Sequence, residues 1–246
     1  MFQLDPRFIP PAYDGYGFSA IPPSIAGLLT GQQRIALAPD ALPDRATPYG
    51  AVILLVVDGF GWRFVEQYAE RYPALQRFVS DGRATKFTSQ FPSTTAAHIT
   101  SLHTGQEVGQ HGVYEWQYYD PVVDAVVVPL LYSWAGTKDR EQLRKAKVDP
   151  KRILPTHTLY QALAALGIRV TIFQHREYLQ STYTDALMAG AQMTGYRALT
   201  EALVNARQAL ARVESPTYFL LYYDRIDGLA HEYGPNSLHV AAEIDL

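Results

Sequence analysis

Residues 51–57 read Ala-Val-Ile-Leu-Leu-Val-Val, an unbroken apolar run that stops at Asp58-Gly59. Seven such residues without polar alternation, too few for a stable helix and rich in β-branched side chains, predict a strand buried on both faces of a parallel sheet. Asp58 then sits at the carboxyl end of that strand, the edge where open α/β sheets bind their ligands. Two further runs, 168–173 and 216–223, predict strands of the same kind, and the second delivers Asp224 and Asp227 to the same edge. Residues 83–90 alternate in the manner of another strand. Helical periodicity fills the gaps over 63–72, 74–80, 96–103, 156–166 and 196–213, and a last helix starts after Asn236 or Ser237 as cap. This order predicts an α/β fold, a doubly wound, mostly parallel sheet with helices on both faces and right-handed crossovers.

Three regions follow. Residues 1–50 are proline-rich and predict an N-terminal arm, with a short helix starting at Ser24 once Pro22 and Pro23 are passed. Residues 51–246 carry the α/β domain, interrupted by a variable excursion over 114–155. Its first part, rich in Val, Tyr and Trp around Asp120-Pro121, predicts a hairpin covering the site, and the polar stretch 135–155 a surface crossover.

Composition removes several classes of function. A formal charge of -3 and the lack of any basic stripe among 21 Lys and Arg give no footprint for a nucleic-acid backbone or an anionic membrane. The absence of cysteine excludes disulfides, a thiol nucleophile and Cys-rich zinc modules. Charges at Asp5, Arg7 and Asp14 among prolines and glycines do not form a secretory signal, and the longest apolar run is too short for a bilayer. The chain is read as soluble and cytoplasmic.

Chemistry concentrates in three stretches: Asp58-Gly59-Phe60-Gly61, Phe91-Pro92-Ser93-Thr94-Thr95 and Asp227-Gly228-Leu229-Ala230-His231. On a helical turn Asp227 and His231 share one face, about 5–6 Å apart, close enough to hold one metal ion. The plainer reading of that pair is a capping aspartate beside an exposed histidine. Thr95 opens a predicted helix, where free backbone N–H groups and the positive dipole end attract phosphate.

Taken together, Val57-Asp58-Gly59, the segment Phe91 to Gly105 followed by Gly109-Gln-His-Gly-Val113, and Asp227 to Pro235 resemble the nucleotide pyrophosphatase and phosphodiesterase branch of the alkaline phosphatase superfamily. The likeness runs from about residue 51 to the end, apart from the excursion. It implies an alkaline-phosphatase-like fold and a hydrolase of phosphate diesters or nucleotide pyrophosphate bonds acting on a small phosphate ester or nucleotide. By the resemblance Asp58 and Thr95 bind one divalent ion, Asp227 and His231 bind the other, and Thr95 is the nucleophile, with Thr94 as the alternative. Mixed carboxylate and imidazole ligands fit zinc, with manganese as the other option.

The resemblance also has gaps. His98 stands where relatives often carry an asparagine that contacts phosphate; it either replaces that donor or packs as a neutral core histidine. Asp224 falls on an acidic position that is not a ligand, and His111 is expected to structure a turn. The family's later Asp-His-Gly segment and final histidine have no counterpart before Leu246, and His239 is too close to His231 to substitute. The expectation is therefore a domain incomplete at its C-terminus, with an uncovered sheet edge and weak activity or none. A phosphomonoesterase or phosphomutase of the same superfamily, or a non-catalytic phosphate-binding remnant, are the other readings.

Overall fold

A computed structural model describes residue 5 and residues 8–32, 35–42 and 48–246 of the chain. The predicted arm over 1–50 lies partly outside the described residues. Its helix spans Ile21–Thr30 and starts three residues before the predicted Ser24. Pro22 and Pro23 occupy its first turn, where a missing N–H breaks no intrahelical bond. Ser24 lies inside, its hydroxyl donating to Ala20 O at 2.7 Å and accepting from the amides of Ala36 and Leu37 at 2.9 Å each.

Among the described residues seven strands form two sheets: β1 (Ala51–Val57), β2 (Tyr118–Asp120), β3 (Ala125–Val128), β4 (Ser133–Trp134), β5 (Arg169–His175), β6 (Gln192–Tyr196) and β7 (Thr217–Tyr223). The main sheet is wholly parallel in the order β1-β7-β5-β6. Residue 51 pairs with 217 and residue 57 with 223, so β1 and β7 end level and their following loops share one rim.

Period-two geometry divides the apolar runs between two cores. Phe219, Leu221 and Tyr223 of β7 and Phe173 of β5 pack with Phe64 and Tyr68 from the helix Trp62–Tyr68 and with Ala202 and Ala206 from Leu199–Leu210. On the opposite face Tyr218, Leu220, Val170 and Ile172 meet Ile25 and Leu29 of the arm and Tyr160 and Leu163 from the helix Leu159–Ala165. Each fully buried large side chain contributes roughly 1.5–3 kcal/mol of transfer free energy, which is why helices cover both faces.

Three expectations need correction. β1 is not buried on both faces: it is the sheet's edge strand, and Ile53 and Leu55 are 48% and 42% exposed. Residues 83–90 do not enter the sheet. Their single β-bridge joins Gly17 to Thr88, flanked by Phe18 N to Thr88 O and Thr88 N to Tyr16 O at 3.0 Å each. The segment has too little apolar surface for a place in the sheet, and Lys86 instead lies 5.8 Å over the Trp62 ring. Residues 135–155 are more than a surface crossover, because Leu143, Ile153 and Leu154 are buried. They join Tyr118 and Val127 of the three-stranded antiparallel sheet β2-β3-β4 and Tyr183 and Leu187 of the helix Thr182–Leu187 in a third core. Among the described residues no helix is long and apolar enough to cross a membrane.

Two buried histidines make this packing sensitive to acid. Burial drives the His103 pKa down to about 3, and His103 Nδ1 is 2.6 Å from the Tyr160 hydroxyl. Burial likewise drives His111 down to about 4. Both are neutral in the folded chain and bind protons near pH 6.5 once unfolded, so stability is complete above about pH 6.5 and falls as the pH drops toward 4. Each should add about 1.4 kcal/mol per pH unit to the slope of unfolding free energy in that window. Urea titrations from pH 7 to 4 should show it, and His103→Gln should make the acid limb shallower; an unchanged slope would remove His103 from the explanation.

Candidate active site

The four residues that the sequence singles out meet at the carboxyl rim of the sheet. Asp58 leaves β1 with its amide donating to Tyr223 O at 2.8 Å, so the strand register places its carboxylate. Its Oδ1 accepts from the Gly59 amide at 2.9 Å. Its Oδ2 accepts from Thr95 Oγ1 at 3.3 Å and from the Tyr222 hydroxyl at 2.6 Å. Gly59 has φ +72°, and a Cβ there would lie 2.8 Å from the Cα of Asp227. The turn after β1 therefore touches the helix Arg225–Tyr233 after β7, and only glycine satisfies both the dihedral and the contact.

Thr95 is the first residue of the helix Thr95–Thr104. Thr94 is its cap: its Oγ1 accepts from Ala97 N at 3.3 Å and its carbonyl from His98 N at 3.1 Å. The amides of Thr95 and Ala96, the first two of the helix, donate to no acceptor among the described residues. The approach to Thr95 is a loop and not the predicted strand. Gln90 holds that loop to the helix, its Nε2 donating to Ser101 Oγ at 2.7 Å.

Asp227 and His231 lie one turn apart on Arg225–Tyr233, with His231 Nε2 3.6 Å from Asp227 Oδ2 and the imidazole 82% exposed. Burial, and after it the Asp58 carboxylate, raises the Asp227 pKa; His231 opposes the shift and Asp224 adds to it. Three carboxylates thus crowd one rim, an arrangement that a bound cation relieves. Among the described residues no three His, Asp or Glu side chains converge as one metal site. The donors come instead as two pairs, Asp58 with Thr95 and Asp227 with His231. Oxygen and nitrogen donors of this kind suit a hard or borderline divalent ion, so each pair fits as part of a coordination shell that water or substrate oxygens complete.

His98 is not brought to the rim. Its Nε2 accepts from Gln90 N at 2.9 Å, which leaves Nδ1 to donate to Thr94 O at 2.7 Å, and its ring meets Phe18 edge-on. Burial lowers its pKa, and it packs as a neutral histidine that holds the loop before Thr95 against the helix. His111 structures a turn as expected: its Nδ1 accepts from Val113 N at 3.1 Å and its Nε2 contacts Ser101 Oγ at 2.9 Å. His239 stacks on Tyr233, 3.8 Å between ring centres.

Two residues not singled out from sequence belong to the site. Tyr222 donates to Asp58, and burial, followed by that carboxylate, pushes its pKa far up, so it stays a donor. Tyr178 donates to the Asp224 carboxylate across the sheet edge. Nothing local marks either residue among 17 tyrosines; the one signal is that Tyr222 precedes the strand-end pair Tyr223-Asp224. Asp58, Thr95, Asp227 and His231 all face one cavity of about 740 Å³, roofed by Trp116, Leu130 and Leu131 of the excursion.

Residues 52–245 match the family model for type I phosphodiesterase / nucleotide pyrophosphatase. The chain belongs to this family. No curated protein sequence matches it. Among solved structures it is similar to murine ectonucleotide pyrophosphatase / phosphodiesterase 5, in an inactive threonine-to-alanine form in complex with AMP, at 15% identity and a TM-score of 0.57. The match covers 79% of this chain and 48% of that one, so the chain spans about half the length of that structure. At this identity the likeness is one of fold, and it agrees with an alkaline-phosphatase-like α/β sheet flanked by helices.

Proposed function

We propose that this chain carries the catalytic rim of a metal-dependent hydrolase of phosphate diesters or nucleotide pyrophosphate bonds, with Thr95 as nucleophile. The observation that carries the reading is the Thr95 Oγ1 to Asp58 Oδ2 contact of 3.3 Å at a helix N-terminus, in one cavity with Asp227 and His231. Asp58 with Thr95 and Asp227 with His231 would each hold one divalent ion, zinc or else manganese, supplying Lewis acidity at the attacking and leaving oxygens. Family membership supports the reaction class. The solved relative, whose inactive form replaces a threonine by alanine and contains AMP, supports a threonine nucleophile and a nucleotide-like ligand.

The chain's own groups account for the rest. Thr94 spends its hydroxyl on the cap, whereas the Thr95 hydroxyl points at Asp58, and this favours Thr95 over its neighbour. In the first step the Thr95 Oγ1–P bond forms while the bond from phosphorus to the leaving oxygen breaks. The hydroxyl proton departs through Asp58 Oδ2, which the Tyr222 donor keeps in place. The free amide of Thr95, at the helix N-terminus on the cavity lining, would donate to a non-bridging oxygen as charge develops. Water then cleaves the phosphothreonine and restores Thr95.

The test compares an aryl phosphodiester with an aryl phosphomonoester, with and without zinc, in this chain and in any longer chain that contains it. Diester cleavage that requires the metal is the expected result. Cleavage of the monoester alone moves the site to the phosphomonoesterase reading, and metal-independent cleavage of either ester contradicts the ligand assignment.

A further inference from the structure

Among the described residues, Arg140 is the one lysine or arginine on the wall of the cavity, which also holds Asp58, Asp224 and Asp227. Its guanidinium lies over the Tyr178 ring, 5.6 Å from the centre, and Tyr178 in turn donates to Asp224. It makes no ion pair with a carboxylate among the described residues. The backbone beside it is firmly held. Glu141 adopts φ +64°, unusual for a side chain of its kind, and its carboxylate accepts from the amide and hydroxyl of Thr182 at 2.9 and 2.5 Å. Its own amide donates to Leu131 O at 2.9 Å. A residue kept in that conformation by three hydrogen bonds marks a segment whose placement is over-determined.

We propose that Arg140 binds a second anionic group of the substrate, a carboxylate or phosphate carried next to the phosphorus that reacts. An arginine above an aromatic ring keeps its planar fork of N–H donors free, the geometry that grips an oxyanion through two bonds. Asp58, Asp224 and Asp227 on the cavity lining suit cations, so among the described residues Arg140 is the lysine or arginine that an anion entering the cavity meets. The inference rests on the hydrolase reading of the same cavity and selects, among phosphate esters, those with a second negative charge. Arg140 is a specificity residue in this account and takes no part in bond cleavage.

Binding of three probes to the zinc-loaded protein, followed by calorimetry, tests it: ethylphosphonate, 3-phosphonopropionate and ethane-1,2-bisphosphonate. One or both doubly functional probes should bind about tenfold tighter than ethylphosphonate, the size of one charge-assisted contact. Which of them gains distinguishes carboxylate from phosphate. Arg140→Gln should erase the gain and leave ethylphosphonate unchanged, and Arg140→Lys should restore part of it. Equal affinities in the wild type, no binding of any probe, or a gain that survives Arg140→Gln would overturn the proposal. Hydrolysis of methyl p-nitrophenyl phosphate, measured alongside, reports separately on catalysis: if it fails while the binding preference holds, the reaction is misassigned and the anion site stands.

Discussion

Thr95→Ala should lower zinc-dependent diester hydrolysis by on the order of 10³-fold or more, the scale of losing a covalent nucleophile, without a comparable loss of stability. The two adjacent threonines make different hydrogen bonds. Thr95 is first in its helix, does not cap it, and directs its hydroxyl to Asp58 at 3.3 Å. Thr94 accepts from Ala97 N and holds the helix end. Thr94→Ala should therefore cost about 1 kcal/mol of stability as a lost cap and reduce hydrolysis far less, through looser placement of Thr95. Steady-state kinetics and thermal melts on both variants decide the matter. The reverse pattern would transfer the nucleophile to Thr94, and hydrolysis untouched by either change would remove threonine from the chemistry.

Gly59→Ala should damage both folding and turnover, although alanine adds a single carbon. That carbon would lie 2.8 Å from Asp227 Cα at a residue with φ +72°. Relief requires the turn after β1 and the helix Arg225–Tyr233 to separate, which moves Asp58 away from Asp227. A non-glycine residue in such a conformation costs about 1–3 kcal/mol, and misplacement by about 1 Å lowers rates on the order of 10²-fold. Gly61 supplies the control: it has φ -99° and open space around its would-be Cβ. Gly61→Ala should change stability by less than about 1 kcal/mol and leave turnover nearly intact. Equal behaviour of the two variants would show that the contact between the turn after β1 and the helix Arg225–Tyr233 does not set the site.

Much of this arrangement could be read from the residues because it rests on local pattern. β1, β5 and β7 are apolar runs long enough to identify; Asp58 follows β1 directly, and Asp227 comes in the first turn of the helix after β7. β6 escaped notice because Gln192-Met-Thr-Gly-Tyr196 has neither a clean apolar run nor alternation, and its place at the sheet edge comes from pairing with β5. Residues 83–90 misled in the opposite direction, since alternation alone does not bury a strand. The exposed Ile53 and Leu55 make the same point for β1, whose composition suits a strand covered on both faces while its place in the sheet order is an edge.

Side chains whose roles depend on distant partners were the least legible. Tyr222 meets Asp58 across 164 positions and Tyr178 meets Asp224 across 46, separations over which no periodicity carries information. Arg140 sits in the stretch 135–155, which pattern alone reads as a surface crossover, yet it lines the cavity. His98 lies within the segment that resembles the phosphodiesterases, yet both its nitrogens are taken by Gln90 N and Thr94 O. Motif position identified where it stands in the chain, and packing decided what it does.

The most direct test of the central claim is to stop the reaction of the zinc-loaded protein with a diester in acid within its first turnover and to map the phosphorylated peptide by mass spectrometry. The account predicts phosphate on Thr95 in the wild type and none on that peptide in Thr95→Ala. Phosphate on another residue, or full turnover with no phosphopeptide at any time point, would contradict it.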